Sequence, residues 1–137
     1  MTNKSTVISE TDFDRLNHLM TSPRYRMTHS ALMGGLKEGL TRGNVVAPQA
    51  VPPTVVTMNS QVRVRDVQSA ESDTYTLVYP DDANIDENKL SVLAPLGAAL
   101  LGAKVGKVIR FDVPAGTRRL RVEQILYQPE AAGDFYL

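Results

Sequence analysis

Hydrophobic residues recur at two different spacings along the chain, and the first spacing is helical. Ser9 is suited to cap a helix N-terminus, and acidic residues follow it at the positive end of the helix dipole. The apolar positions then recur at helical spacing: Phe13, Leu16, Leu19 and Met20. The pattern predicts a first helix from about Glu10 to Met20.

A second helical pattern follows a turn at residues 21–27, which read TSPRYRM, and runs to about Arg42. Its apolar positions repeat every four residues: Leu32, Leu36 and Leu40. Residues 1–44 are therefore predicted to form a short antiparallel helical hairpin. Glycines form a second stripe on the same helix: Gly35, Gly39 and Gly43. Each costs about 1 kcal/mol of helix propensity relative to Ala, which indicates either a very close approach of the first helix or a kinked, frayed helix.

Prolines then interrupt the helical pattern. Residues 45–53 read VVAPQAVPP, and three prolines in nine residues remove backbone donors and favour extended conformations. We expect a proline-rich linker over residues 45–54, followed by a separate C-terminal domain over residues 55–137.

After this linker the spacing of apolar residues changes to two, which is typical of strands. Strands are predicted around residues 55–58, 62–65, 74–80, 109–113 and 119–122. A change of phase predicts a bulge near Asp66, and a later one predicts that Ile125 and Tyr127 face inward. Residues 95–101, PLGAALL, predict one short helix with proline at its first position and Gly102 at its stop. The expected class is α+β, with four or five antiparallel strands over that helix.

Composition limits what such a chain can be. Its 137 residues fit one ordinary domain, or a small domain with a short appendage. Lys plus Arg and Asp plus Glu both number 15, so no excess of positive charge drives binding to nucleic acid. The absence of cysteine excludes disulfides and thiolate metal sites and fits a reducing compartment. Since no apolar run approaches the roughly 18 residues of a membrane span, we expect a cytoplasmic protein with no membrane partner.

Candidate catalytic chemistry is sparse in this sequence. The two histidines, His18 and His29, both lie in the predicted hairpin, where a lone surface histidine is more often solvated than catalytic. The acidic stretch DDANIDE, residues 81–87, lacks the glycine and the terminal glutamate of a calcium loop. We therefore expect no catalytic residue, no metal site and no cofactor.

Arginines are more informative than the acids. Six of them occupy outward or turn positions on the predicted strands: Arg63, Arg65, Arg110, Arg118, Arg119 and Arg121. They form either a basic patch for a partner or an ordinary solvent face, which the interleaved Asp66, Asp112 and Glu123 neutralise.

Four strings make the C-terminal part similar to a known family: VVTMNSQVRV, TLVYP, LSVLAPLGAALLGAKVG and YQPEAAGDFYL. They resemble the Rnk-type regulators of nucleoside diphosphate kinase, which belong with the Gre transcription factors. The resemblance covers nearly the whole chain, and LAPLGAALLG followed by VGKVIRFDVPAG is its shared Gre-type signature. It implies an FKBP-like C-terminal domain behind an N-terminal antiparallel coiled coil.

The resemblance also implies a function. Gre factors dock on the rim of the RNA polymerase secondary channel and insert a coiled coil whose acidic tip helps to hold a metal ion for transcript cleavage. Here the tip, TSPRYRM, offers Arg24 and Arg26 and no carboxylate, so it cannot ligate a hard cation. We therefore expect a monomeric, non-catalytic regulator that occupies the Gre site, competes with cleavage factors and affects nucleoside diphosphate kinase levels.

The residues that match the Gre docking element lie beside the predicted short helix: Ser91, Ala94, Pro95, Leu96 and Gly97. Gre factors commonly carry serine at the position of Ala94. Arg24 and Arg26 are second candidates, for acidic polymerase residues or nucleic acid near the channel. Two alternatives stay open: direct regulation of nucleoside diphosphate kinase by contact, and peptidyl-prolyl isomerase activity. The latter needs an aromatic-rich pocket, whereas this chain has 6% aromatic residues and no Trp.

Overall fold

The structure is a computed structural model that describes residues 7–23 and 43–135. Its helices are α1 (Glu10–Thr21), α2 (Pro95–Leu100) and the short α3 (Pro129–Ala132). Its strands are β1 (Val7–Ser9), β2 (Asn44–Val46), β3 (Gln61–Asp66), β4 (Ser72–Val78), β5 (Lys89–Ser91), β6 (Val108–Val113) and β7 (Gly116–Tyr127). None of the described helices has the length and apolarity needed to cross a membrane.

Five strands form the main sheet, in the order β5-β4-β3-β7-β6. Three of the neighbouring pairs are antiparallel, but β4 and β5 run parallel. The α+β class predicted from the sequence is confirmed, whereas an entirely antiparallel sheet is not. The difference arises in the acidic stretch, which forms two single 3-10 turns, Pro80–Asp82 and Ile85–Glu87, and leads the chain into β5 alongside β4.

Residues 55–58 are the predicted strand that the structure does not contain. Their side chains are all buried, but only Val55 forms an isolated bridge, to Lys104. The backbone of Val56 instead meets the end of α2: its N–H donates to the Ala103 carbonyl at 2.9 Å, and its carbonyl accepts from the Gly102 N–H at 2.8 Å. The β-branched, apolar character of this segment therefore reflects burial rather than a sheet position.

The prediction of a β-bulge near Asp66 is wrong. The pairing of β3 with β7 shifts at two other places, and each shift leaves one extra residue in β7, Glu123 and Leu126. The second shift places Tyr127 opposite the exposed Gln61. Tyr127 thus lines a groove on the outer face of the sheet with Gln61, and its predicted inward position is also wrong.

The N-terminal segment packs against the body of the protein. The predicted first helix is confirmed as α1, and the Ser9 hydroxyl caps it by accepting from the Asp12 N–H at 3.1 Å. Ile8 and Leu16 are 1% and 0% exposed and belong to the same hydrophobic core as Met58. The second predicted helix and most of the turn before it lie outside the described residues, so the hairpin stays a prediction.

The proline-rich segment has more structure than a linker pattern predicts. β2 pairs in parallel with β1, a 3-10 turn covers Pro48–Ala50, and Val51 is buried. β1, which directly precedes α1, and the segment after residue 43 are therefore held together next to the body.

Candidate functional site

The predicted docking element forms a tight turn between β5 and α2. The Ser91 hydroxyl accepts from the Leu93 N–H at 3.1 Å, and the Ser91 carbonyl accepts from the Ala94 N–H at 3.1 Å. Pro95 then begins the helix, at a position where its missing N–H leaves no hydrogen bond unmade. The sequence therefore specifies this turn locally.

The structure brings the five docking residues together but gives them different environments. Pro95 is exposed, Ser91 and Ala94 are partly exposed, and Leu96 and Gly97 are buried. A Cβ atom on residue 97 would lie 2.0 Å from the Ser91 carbonyl oxygen. Leu96 and Gly97 thus fix the turn from inside, and only the other three side chains are accessible to a partner. Arg24 and Arg26, the candidates at the hairpin tip, lie outside the described residues.

A buried carboxylate, which sequence reasoning missed, anchors α1 to the body. Asp12 is 2% exposed; its Oδ2 accepts from the Met58 N–H at 3.0 Å, and its Oδ1 accepts from the Tyr79 hydroxyl at 3.4 Å. Burial raises the pKa of Asp12 to about 6, against the lowering effect of the hydrogen bond from the Met58 N–H and with a smaller contribution from the nearby Glu130 carboxylate. Burial also raises the pKa of Tyr79, as does the charge of Asp12.

A second buried polar cluster joins the loop at residues 57–60 to the C-terminal turn. The Thr57 hydroxyl donates to the Glu130 carboxylate at 2.7 Å and lies 2.9 Å from the Ser60 hydroxyl. Gln128 donates from Nε2 to the carbonyls of Pro52, at 2.8 Å, and Val55, at 2.6 Å. Two of the strings that carry the family resemblance, VVTMNSQVRV and YQPEAAGDFYL, therefore meet in the fold through Val55, Thr57, Gln128 and Glu130.

We expect the substitution Gln128→Ala to lower the free energy of unfolding by about 2 kcal/mol, because it strands two buried carbonyls and removes the cap that the Gln128 Oε1 provides for α3. Urea unfolding measures the loss. The matched control is Gln124→Ala, which removes an exposed glutamine bonded to Arg63 and should cost less than about 0.5 kcal/mol. Equal losses in the two variants would show that the buried bonds of Gln128 contribute little.

The six arginines of the predicted patch do not act as one group. Glu123, whose pKa is lowered chiefly by its hydrogen bond from Arg65, lies 2.5 Å from the Arg65 Nε and 3.3 Å from the Arg63 Nε. Arg118 lies on the opposite side of the sheet, where it pairs with Asp66 at 2.9 Å over the ring of Phe111.

Three of these arginines have no carboxylate partner within the described chain: Arg110, Arg119 and Arg121. The Arg121 guanidinium donates to the Gly106 carbonyl at 3.0 Å. Arg110 and Arg119 lie directly opposite each other on β6 and β7. The predicted six-residue patch is therefore reduced, within the described residues, to three arginines without a carboxylate partner, and Arg110 and Arg119 are the two that lie directly opposite each other.

The remaining candidate residues, the acidic stretch and His18, do not form a cluster in the described part of the chain. No group of three or more potential metal ligands occurs within residues 7–23 and 43–135. The acidic stretch is exposed, and Glu87 forms an ion pair with Lys89 at 3.0 Å. His18 is an exposed residue in the last turn of α1.

Comparison with known proteins shows which family has this fold and this docking turn. Residues 51–127, which contain the docking turn, match the family model described as "Transcription elongation factor, GreA/GreB, C-term". The chain belongs to the GreA/GreB family. It is 38% identical over 138 residues to the "Regulator of nucleoside diphosphate kinase" of Escherichia coli strain K12, with both chains fully covered. The resemblance seen in the four sequence strings is confirmed.

Two further comparisons, one by sequence and one by structure, show how much of this Gre-family protein is similar to its relatives. The transcription elongation factor GreA of Thermodesulfovibrio yellowstonii is 31% identical over 93 residues, which are 68% of this chain and 59% of that protein. A solved structure described as a prokaryotic transcription elongation factor GreA/GreB from Nitrosomonas europaea superposes with a TM-score of 0.74 and 41% identity, covering 89% of this chain and 99% of that one. The fold is therefore GreA/GreB-like, while likeness to FKBP stays a prediction.

Proposed function

We propose that this Gre-family protein is a non-catalytic transcription elongation regulator that binds RNA polymerase through the turn before α2 and occupies the Gre site at the secondary channel. The observation that carries the proposal is the position of Pro95. It is exposed at the start of α2, above the buried Leu96 and Gly97, within the region that matches the GreA/GreB model. In this proposal the protein acts in the cytoplasm and competes with cleavage factors.

The sequence of the predicted hairpin tip supports binding without cleavage. The segment TSPRYRM contains two arginines and no carboxylate, and the carboxylate is the charged oxygen ligand with which proteins hold a catalytic hard cation. α1 has 12 residues, so it is only about 18 Å long at 1.5 Å per residue, and Leu16 and Met20 along it pack against the body. The projecting part of the predicted hairpin is therefore short, and its basic tip suits contact with acidic polymerase residues or nearby nucleic acid.

Competition with a Gre factor tests the proposal. We expect the purified protein to co-elute with core RNA polymerase and to reduce Gre-stimulated transcript cleavage in a backtracked complex as its concentration rises. Added alone, it should not stimulate cleavage, because its predicted tip has no carboxylate to hold the metal ion. Unchanged cleavage at saturating protein would contradict competition, and cleavage by the protein alone would contradict the argument from the tip.

The docking turn is tested by Pro95→Glu, which we expect to weaken competition at least 10-fold while leaving the fold intact, since glutamate is tolerated in the first turn of a helix. The matched control is Val67→Glu, which adds the same charge at another exposed apolar residue outside the docking element. Equal competition by both variants would assign polymerase binding to a different surface.

Direct regulation of nucleoside diphosphate kinase is the second candidate, favoured by the name of the full-length relative from Escherichia coli. Pull-down of purified kinase in the absence of polymerase distinguishes the two. Retention of the kinase supports direct contact, whereas loss of the effect on kinase levels in the Pro95→Glu variant supports control through transcription.

A further inference from the structure

β6 is an edge strand of the main sheet, and no other described strand pairs with its second side. Among the described strands it pairs only with β7. The Val122 N–H points to the β6 side, where it donates to the Lys107 carbonyl at 2.9 Å, and the Arg119 carbonyl points to the β3 side, where it accepts from the Val67 N–H at 3.1 Å. The alternation of an antiparallel ladder therefore directs the backbone of Arg110 and Asp112 to the open edge.

The outer face of this edge carries charges of both signs. Arg110 and Arg119 are exposed and lie directly opposite each other, an arrangement of like charges that destabilises a sheet. Asp112 is exposed two residues further along β6, on the same face, where it accepts only from the Thr117 hydroxyl, at 3.0 Å. The edge thus lacks a negative partner for Arg110 and a positive partner for Asp112 within the described chain.

We propose that a second copy of this chain pairs with β6 across a twofold axis, in the antiparallel register that places Arg110 of each copy opposite Asp112 of the other. Since only alternate residues direct their backbone groups to the edge, allowed registers differ by steps of two residues. The register centred on Phe111 forms the Arg110–Asp112 pair twice. The register centred on Arg110 places two arginines face to face, so charge selects between them.

The inner face agrees with the same register. It places Phe111 opposite Phe111 and Ile109 opposite Val113, which covers the partly exposed ring of Phe111 with an aromatic neighbour. Charged residues on an edge strand usually prevent pairing. Here their opposite signs, two residues apart, make the strand complementary to itself in one register and repulsive in the next.

The association should be weak. A six-residue strand pair buries less than the roughly 1,200 Å² of a stable interface, so we expect a dissociation constant on the order of 100 µM. This weak dimer departs from the monomer expected from the sequence, which would be the main form well below that concentration. The dimer is independent of polymerase binding, and its tests contain no polymerase.

The register is tested with the single-cysteine variants Arg110→Cys and Asp112→Cys, in a chain that otherwise has no cysteine. When the two variants are mixed, the substituted positions face each other with Cα atoms about 5.5 Å apart, which is within disulfide range, while one native Arg110–Asp112 pair remains. Under mild oxidation we expect a disulfide-linked species of twice the 15.0 kDa monomer mass from the mixture and little from either variant alone. Equal yields in all three samples, or no product in the mixture, would overturn the proposal.

Charge exchange provides the non-covalent test. Sedimentation equilibrium of the natural chain at about 0.5 mM should show a substantial dimer fraction. Arg110→Asp should weaken dimerisation at least 10-fold, the double variant Arg110→Asp, Asp112→Arg should restore it, and the control Lys104→Asp, outside the strand, should leave it unchanged. A natural chain that stays monomeric at this concentration, or a double variant that fails to recover, would rule out the pairing.

Discussion

The substitution Gly97→Ala is expected to lower the free energy of unfolding by about 3 kcal/mol and to abolish polymerase binding. The added Cβ atom would lie 2.0 Å from the Ser91 carbonyl oxygen, 2.9 Å from the Ser91 carbonyl carbon and 3.0 Å from the Val92 Cα. All three are backbone atoms, which cannot rotate away as a flexible side chain does. α2 must therefore shift relative to β5, and overpacking of this kind costs about 1–3 kcal/mol or more.

Urea unfolding and polymerase co-elution measure the two effects of Gly97→Ala. The control is Gly106→Ala, because no atom lies within 4 Å of its added Cβ and only the positive φ of +94° opposes the change. Backbone strain alone should cost on the order of 1 kcal/mol. If both variants lose the same stability, the close approach of residue 97 to Ser91 is not what limits this position.

The second large effect is expected at Asp12, where asparagine should stabilise the protein by about 2 kcal/mol at pH 8. The asparagine carbonyl still accepts from the Met58 N–H, while its amide can donate to Tyr79, so the geometry of the anchor is kept. What disappears is a buried negative charge close to Glu130. Removing an unfavourable buried charge while keeping its hydrogen bonds stabilises a protein.

The pH dependence follows from the direction of the shift. The folded pKa of Asp12, about 6, is above the value of 3.8 expected when the chain is unfolded, so the folded state binds the proton more tightly. The contribution of Asp12 to stability therefore rises as pH falls from about 7 to about 4, and it is lost as pH rises through 6. Two pKa units correspond to about 3 kcal/mol.

Comparison of the natural chain with Asp12→Asn by urea unfolding at pH 4.5, 6 and 8 isolates this contribution, because Asp66 and Glu123, whose pKa values are lowered, are common to both. The difference should grow with pH. Asp14→Asn, at an exposed carboxylate of the same helix, should change stability by less than about 0.5 kcal/mol. A destabilised Asp12→Asn protein at pH 8 would mean that the ionised carboxylate favours the fold.

The sequence pattern correctly predicted those helices and strands that depend on residues close together in the chain. α1 and its Ser9 cap, the alternation of β3, and the proline start and glycine stop of α2 each depend on residues within one turn or one strand. Residues 55–58 misled the prediction, because burial beside the end of α2 selects the same β-branched residues as a strand does. The parallel position of β5 depends on a long-range pairing that no local pattern records.

The sequence predicted which residues form the candidate site, but it did not predict which of their side chains are exposed. The family motif identified the docking residues, yet nothing in the string LAPLG separates the exposed Pro95 from the buried Leu96. Asp12 looked like an ordinary acidic residue of a first helical turn, because its burial depends on Met58 and Tyr79, 46 and 67 residues away. The two bulges of β7, which decide where Glu123 and Tyr127 point, likewise appear only when β3 is in register beside them.

The burial of Ile8 and Leu16 in the core of the body has a consequence for how the protein can be dissected. A fragment that starts at residue 55 would lack Ile8 and Leu16, which belong to the same hydrophobic core as Met58 and Leu77, and would also lose the Pro52 carbonyl that Gln128 holds. We therefore expect that the boundary predicted at the proline-rich run does not separate two independently folding units. The packing of the body also fixes the position of α1, so core substitutions around Ile8 and Leu16 would displace this helix.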